Sequence, residues 1–186
     1  VLSAHVATYF DVPEPIFLDN LSTSNSVQAA LSRLNTCCPS VLWISLAKAE
    51  HLPGQAFALQ FCQEALFQAH QAHRRFVFAY PWEGALWTNP RWQSFIKMPG
   101  IQVLRVNASS WAPEVFGYSG NMCLVVGGPK GWLDVMTNGP FPVTTGLKAS
   151  REEQTQLMTD LYTPYFCQQA AICMVDAIKP DMEWPT

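Results

Sequence analysis

Apolar and polar positions divide much of the chain into short strand-like runs separated by helical stripes. Short, mainly apolar runs predict strands, and the clearest of these cover residues 15–20, 41–45, 76–81, 101–106 and 122–128. Apolar positions that share one face predict helices at residues 26–34 and 55–73. Pro90 marks the start of a helix at 90–97, and a capping box from Ser150 to Glu153 marks the start of one at 151–178, with Pro164 as a candidate break. Strands and helices therefore alternate over much of the sequence.

This alternation predicts the fold class. Strands that alternate with helices and lack a polar face are typical of a parallel sheet covered on both sides. We therefore expect an α/β protein with a three-layer, Rossmann-like fold and a mainly parallel sheet. No repeat, low-complexity tract or linker interrupts the chain, so we expect one domain over residues 1–186.

The composition changes this picture by indicating a partner. Charged residues make up 13% of the chain, whereas about 25% is usual, and the sequence holds seven Trp and eleven Phe. A surface with so little charge predicts that other protein subunits cover part of it. The net charge of −3 argues against nucleic acid as the partner.

The sequence gives no sign of a membrane anchor or of a targeting signal. No apolar run reaches the roughly 18 residues that a transmembrane helix needs. No signal or transit peptide is visible and the chain starts at Val1, so the sequence assigns no localisation.

Polar residues at the ends of the predicted strands form the candidate site. In open α/β sheets, ligands bind at the carboxyl ends of the strands, where this chain has Asp19, Ser45, Lys48, Tyr80 and Asn107. Asp19 suits a hydrogen bond to a ribose or, more simply, a turn cap. Lys48 suits an anion or a solvated loop, and Tyr80 suits a cleft or a loop anchor.

The cysteines and histidines do not predict a metal site. Six cysteines occur without a CxxC pair, which argues against a zinc ribbon. Cys62, Cys167 and Cys173 lie in apolar helical patterns and are predicted to be buried thiols. His70 and His73 lie about one helical turn apart but lack a second pair of ligands, so we expect a solvated helix end.

The glycine-containing segments do not predict a cofactor. The turn at 127–131, Gly-Gly-Pro-Lys-Gly, lacks the spacing of a phosphate-binding loop and the Ser or Thr that follows one. We interpret it as a turn before Trp132. No G-x-G-x-x-G pattern follows the first predicted strand, so no cofactor is expected.

From about residue 41 onward, the order of several motifs resembles a known family. The matching stretches are residues 40–48 (SVLWISLAK), 74–111, 129–140 (PKGWLDVMTNGP) and 161–179. The matching scaffold positions are Trp43, Phe78, Pro81, Trp87, Trp92, Pro99, Gly100, Thr137 and Asn138. Their order and spacing resemble the methyltransferase-like domain of retroelement polyproteins, which is itself similar to the cytosine-5 DNA methyltransferases. The resemblance implies a Rossmann-like domain.

The positions that the resemblance marks as reactive depart from the family pattern. In the family, a Pro-Pro-Cys loop follows the first matching strand, but Lys48 stands at the cysteine position here. The glutamate position on the next strand holds Ala79, its neighbouring histidine is Tyr80, and the Asp-x-Cys position begins with Asn107. Methylation of cytosine needs a thiolate nucleophile and an acid. The resemblance therefore implies a scaffold that has lost its reactive groups.

These observations predict a catalytically inactive methyltransferase-like domain that acts as a structural or interaction subunit of a larger assembly. The candidate contact residues are aromatic, with core packing as their alternative role: Trp82, Trp87, Trp111 and Trp132. The alternative function is an active enzyme, either an S-adenosylmethionine-dependent methyltransferase or another enzyme that uses the same strand-end cleft.

Overall fold

The computed structural model describes residues 21, 23–46, 55–107, 110–111, 118–119, 121–137, 139, 147–148 and 164–177. The helices of these ranges are α1 (Ser24–Cys37), α2 (Gln55–Gln71), α3 (Pro90–Phe95) and α4 (Pro164–Ala177), with short 3₁₀ helices at Ala85–Thr88 and Asp134–Thr137. The strands are β1 (Val41–Ser45), β2 (Arg75–Pro81), β3 (Ile101–Asn107), β4 (Tyr118–Ser119), β5 (Asn121–Gly127) and β6 (Leu147–Lys148). The strand predicted at 15–20 and the first part of the helix predicted at 151–178 lie outside the described residues.

Local capping fixes where the first helix begins and ends. Thr23 and Ser26 form a reciprocal capping box at the start of α1, in which each side chain accepts a hydrogen bond from the other residue's backbone N–H. The helix ends at Cys38, which adopts a left-handed conformation with φ of 44° and donates its N–H to the carbonyl of Leu34.

The main sheet is mixed rather than mainly parallel. Among the described residues it has four strands in the order β1-β2-β5-β3. β1 pairs with β2 in parallel, whereas β5 pairs in antiparallel fashion with both β2 and β3. The expectation of a mainly parallel sheet is therefore not confirmed. An apolar run such as that of β5 indicates burial on both faces, but it carries no information on strand direction.

Three of the four strands nevertheless run in the same direction. β1 and β2 are parallel, and the reversed strand β5 lies between β2 and β3, so that β3 also points the same way as β2. The carboxyl ends of β1, β2 and β3 consequently meet at one edge of the sheet. We call this edge the site end, because the sequence predicts the candidate site there.

Both faces of the sheet are covered by hydrophobic residues, which explains why β2 and β5 lack polar alternation. On one face α1, α2 and α3 pack against the β2 side chains of Phe76, Phe78 and Tyr80. On the other face α4 and the 3₁₀ helix at Asp134–Thr137 pack against Val77 and Ala79. We call these the three-helix face and the α4 face.

The cysteines divide into a buried and an exposed group. Cys62, Cys167 and Cys173 are buried, which confirms the prediction from their helical patterns. Cys123 of β5 is also buried, whereas Cys37 and Cys38 at the end of α1 are exposed. All six are free thiols.

Candidate functional site

The predicted site residues that the structure describes share one end of the sheet but not one face. Ser45 pairs with Ala79, the residue before Tyr80, while Asn107 pairs with Asn121 farther along the same edge. Side chains alternate between faces along a strand. Ser45 follows Ile44, which packs on the three-helix face, so Ser45 lies on the α4 face and Tyr80 lies on the opposite one. The two polar groups are therefore separated by the sheet.

Tyr80 is held in the core by aromatic neighbours. Its side chain is 2% exposed, and its ring stacks on Phe78 with centroids 6.0 Å apart. The ring also meets Trp87 edge-on at 5.6 Å. Gly84 closes over the phenol, since a Cβ at that position would come within 2.1 Å of the Tyr80 ring. This packing agrees with the alternative that Tyr80 anchors the loop after β2.

Ser45 carries a buried hydroxyl that has no hydrogen-bond partner among the described residues. Its neighbour across the parallel pair is Ala79, which is fully buried and offers only a methyl group. The next residue of β1, Leu46, continues the pairing by donating its N–H to the Ala79 carbonyl at 3.2 Å. The end of β1 is thus apolar around a single unsatisfied oxygen.

Asn107 belongs to a turn that Ser110 organises. The Ser110 hydroxyl donates to the carbonyl of Asn107 at 2.7 Å and accepts from the N–H of Gly139 at 3.3 Å. A Cβ on Gly139 would overlap the Ser110 carbonyl, at 1.9 Å, so only glycine allows the close approach. Ser110 is the buried polar residue that sequence reasoning missed, and no pattern in the sequence distinguishes it from other loop serines.

The four tryptophans considered for a contact surface have different environments. Trp111 and Trp132 are buried, in agreement with the alternative that these tryptophans pack in the core. Trp87 is half-buried, and its indole N–H donates to the Pro81 carbonyl at 2.8 Å. Only Trp82 of the four is exposed, and the guanidinium of Arg105 lies 5.2 Å from the centre of its ring.

The described thiol nearest to Tyr80 in the sheet is not suited to attack a substrate. Cys123 pairs with Tyr80 across the β2–β5 ladder and is buried. Burial raises its pKa to about 12, because the apolar surroundings disfavour the thiolate. A thiol in this state is protonated at neutral pH and is a poor nucleophile.

Two of the predicted site residues, Asp19 and Lys48, lie outside the described residues.

Within the described ranges, no group of three or more His, Cys, Asp or Glu side chains is arranged to hold a metal ion. The pKa of His70 is lowered, first by burial and then by the nearby His73. No helix of the described residues is both long and apolar enough to cross a membrane.

The chain was compared with protein-family models, curated proteins and solved structures. Neither the protein-family models, nor the curated proteins, nor the solved structures contain a match to this chain. The described residues have a mixed α/β fold with a four-stranded sheet.

Proposed function

We propose that this chain is a catalytically inactive, methyltransferase-like domain of the Rossmann-like class that serves as an interaction subunit of a larger protein assembly. The observation that carries the proposal is the state of the site end. The predicted site residues described there are a buried hydroxyl (Ser45), a packed phenol (Tyr80) and an asparagine whose carbonyl serves a turn (Asn107), and Ser45 and Tyr80 lie on opposite faces of the sheet.

The arrangement of the strands supports the proposed ancestry. The stretches that resemble the methyltransferase-like pattern supply β1, β2 and β3, which run in one direction and end at one edge. Many doubly wound α/β folds carry one reversed strand at the edge of the sheet, whereas here the reversed strand β5 lies between β2 and β3. The positions that would carry the nucleophile and the acid follow the first strand and lie in the second.

The environment of Ala79 supports the loss of chemistry. In the family pattern a glutamate stands at this position, next to the end of the first matching strand. Here the position holds a methyl group that is 0% exposed, among hydrophobic side chains of the α4 face. The Ser45 hydroxyl, which pairs across the ladder with Ala79, has no hydrogen-bond partner among the described residues. We interpret this as the result of replacing an acidic acceptor at position 79 by alanine.

The proposed contact surface lies on β3, the outermost strand at one side of the described sheet. Val103 is 40% exposed and Trp82 is 37% exposed. Arg105, two residues after Val103 and on the same face, covers the Trp82 ring. We call Trp82, Val103 and Arg105 the β3 patch. It suits a different protein subunit with an apolar surface and a carboxylate opposite Arg105, because Trp and Arg are frequent anchors of protein interfaces.

The test is to isolate the complex from its native source and compare two surface variants. We expect a stoichiometric protein subunit to co-purify with the wild-type chain and with Val135→Ser, which alters an exposed side chain of the α4 face. Trp82→Ser should release that subunit. A monomer in both wild type and variants would refute the interaction role, and self-association through the patch would replace the partner by a second copy.

A further inference from the structure

The turn at residues 128–131 lies at the opposite end of the sheet from the candidate site. It follows β5, whose last residue, Gly127, pairs with Phe76 at the start of β2. The N–H of Gly131 donates to the Gln102 side-chain oxygen at 3.3 Å, which ties the turn to the start of β3. We call residues 128–131, together with Arg75 and Trp132, the turn end.

Two side chains converge on Gly128 within this turn. Gly128 has φ of 148°, and a Cβ built on it would lie 2.8 Å from Nε1 of Trp132. The same Cβ would lie 3.3 Å from Cγ of Arg75. The missing side chain of Gly128 therefore lets the indole N–H of Trp132 and the aliphatic stem of Arg75 approach the same point of the backbone.

Each of these two side chains has a buried donor that lacks an acceptor among the described residues. They are Nε1 of Trp132, whose residue is 6% exposed, and Nε of Arg75. Neither group can act as an acceptor, so they cannot satisfy one another. The contrast with Trp111 is direct, since its indole N–H donates to the Met136 carbonyl at 3.0 Å. Buried donors are normally paired, so two unpaired donors beside one turn require an explanation, and a bound ligand that supplies the acceptors is one.

The charge of the turn end defines the kind of acceptor. Arg75 carries a permanent positive charge, and Lys130 is exposed on the same turn. The Nε edge of a guanidinium presents parallel N–H groups that match two oxygens of a carboxylate or a phosphate. Asp134 is the acidic group of this region, and its carboxylate faces Gly131, where it lies 3.1 Å from the position of a Cβ.

We propose that the turn end binds a compact oxyanion group, a carboxylate or a phosphate, between the indole of Trp132 and the guanidinium of Arg75. Oxygens of the anion accept from Trp132 Nε1–H and Arg75 Nε–H, and Lys130 attracts the anion to the turn. Arg75 is only half-buried, so its side chain is the element that moves to admit the ligand. This site is independent of the proposed function, because the sheet separates it from the site end.

The site is distinct from a phosphate-binding loop. In such a loop, successive backbone N–H groups surround the phosphate. At the turn end, the free donors belong to side chains, and one backbone N–H of the turn, that of Gly131, is already bound to Gln102. The sequence pattern Gly-Gly-Pro-Lys-Gly therefore marks the position of the site, but the chemistry comes from Arg75 and Trp132.

The experiment measures anion binding to the full chain at constant ionic strength, with inorganic phosphate, acetate and chloride as probes. Thermal unfolding should show saturable stabilisation by phosphate, by acetate or by both, and none by chloride. Stabilisation by phosphate alone assigns a phosphate ligand, and stabilisation by acetate alone assigns a carboxylate. The absence of a saturable effect of either probe would overturn the proposal, because the two donors would then have no anion to bind.

Matched variants locate the binding. Arg75→Gln should weaken the affinity at least about 10-fold, because a hydrogen bond from a charged donor is lost. Arg74→Gln removes the same charge from the neighbouring residue, whose guanidinium contacts the sulfur of Cys38 at 3.2 Å, and should leave the affinity nearly unchanged. Equal losses of affinity in both variants would show a general attraction of anions to positive charge rather than a specific site, and would contradict the proposal.

Two further variants keep the test valid if Arg75→Gln does not fold. Arg75→Lys keeps the charge but loses the parallel donors, and it should still weaken binding. Trp132→Phe keeps a ring and removes only the N–H, and should weaken binding about 2- to 10-fold. Wild-type affinity in both of these variants would exclude the proposed pair of donors.

Discussion

The two ends of the sheet differ in how their polar groups are placed. At the site end, Tyr80 and Ser45 point to opposite faces, and Asn107 serves a turn that Ser110 holds together. At the turn end, Trp132 and Arg75 converge on one glycine and leave two buried donors without acceptors among the described residues. A strand end that resembles a reactive site thus offers scattered groups, while an ordinary-looking turn offers convergent ones. We therefore propose ligand binding at the turn end rather than at the site end.

The largest effect is expected when an acid is returned to the site end. Ala79→Glu places a carboxylate in a fully buried, hydrophobic environment, with the Ser45 hydroxyl across the strand pair. We expect a loss of about 3–5 kcal/mol in the free energy of unfolding at pH 7, measured by urea denaturation. Ala79→Gln is the control for side-chain volume, and the difference between the two variants should shrink at a pH where the glutamate is protonated. Wild-type stability of Ala79→Glu would reveal a polar cleft there.

A somewhat smaller effect is expected from a methyl group at the turn end. Gly128→Ala adds a Cβ that meets Nε1 of Trp132 at 2.8 Å, in a conformation that alanine rarely adopts. We expect a loss of about 2–3 kcal/mol in unfolding free energy and of anion binding. Gly131→Ala also has a positive φ, of 78°, but it meets only the Asp134 side chain, so it should lose less and keep anion binding. Equal losses would mean that the backbone conformation alone matters.

The buried thiols predict a fall of stability in alkaline solution. Burial raises the pKa of Cys62 and Cys123 to about 12, whereas an unfolded thiol ionises near about 8.5. Between these values the unfolded chain releases protons that the folded chain retains, so the stabilisation is complete below about pH 8.5 and declines as the pH rises. Each such thiol contributes up to about 1.4 kcal/mol per pH unit.

The matching measurement is the urea midpoint at pH 8, 9 and 10, for the wild type and for Cys123→Ala. The variant should show a shallower decline because it lacks one buried thiol of the site end. Identical slopes would show that Cys123 ionises normally in the folded chain, which would make it a reactive group and would reverse the contrast between the two ends.

The smallest effect is expected at Ser45, and it contrasts with the effect at Ser110, a second serine of the site end. Ser45→Ala should be neutral or should stabilise the protein by up to about 1 kcal/mol, because it removes a buried hydroxyl that has no partner among the described residues. Ser110→Ala should destabilise it by about 1–3 kcal/mol, because the hydroxyl makes two hydrogen bonds. Thermal or urea unfolding distinguishes the two outcomes. Destabilisation by Ser45→Ala would point to an acceptor that the Ser45 hydroxyl uses.

The hydrophobic pattern was sufficient to predict most of the described elements. The strands predicted at 41–45, 76–81, 101–106 and 122–128 correspond to β1, β2, β3 and β5 within one residue at each end. Strand direction was missed, because an apolar strand covered on both faces has the same pattern whether it runs parallel or antiparallel. The structure shows the reversal through the pairing, since Gly127 at the end of β5 lies opposite Phe76 and Ile101 at the starts of β2 and β3.

The candidate site was predictable by position but not by geometry. The sequence placed Ser45, Tyr80 and Asn107 at strand ends, which the structure confirms, but the face on which each side chain lies depends on register. The burial of Trp111 and Trp132 depends on contacts distant in sequence, such as the edge-on contact of Trp111 with Phe166 at 5.3 Å. Such tertiary contacts leave no local pattern.

Titration of the full chain with S-adenosylmethionine, followed by calorimetry, tests the central claim most directly. For Arg75→Gln, in which the proposed anion site of the turn end is lost, the account predicts no saturable heat at ligand concentrations up to about 1 mM, because the scaffold is proposed to persist without its chemistry. Saturable binding of one S-adenosylmethionine per chain to this variant would contradict the account and would favour an active methyltransferase at the site end.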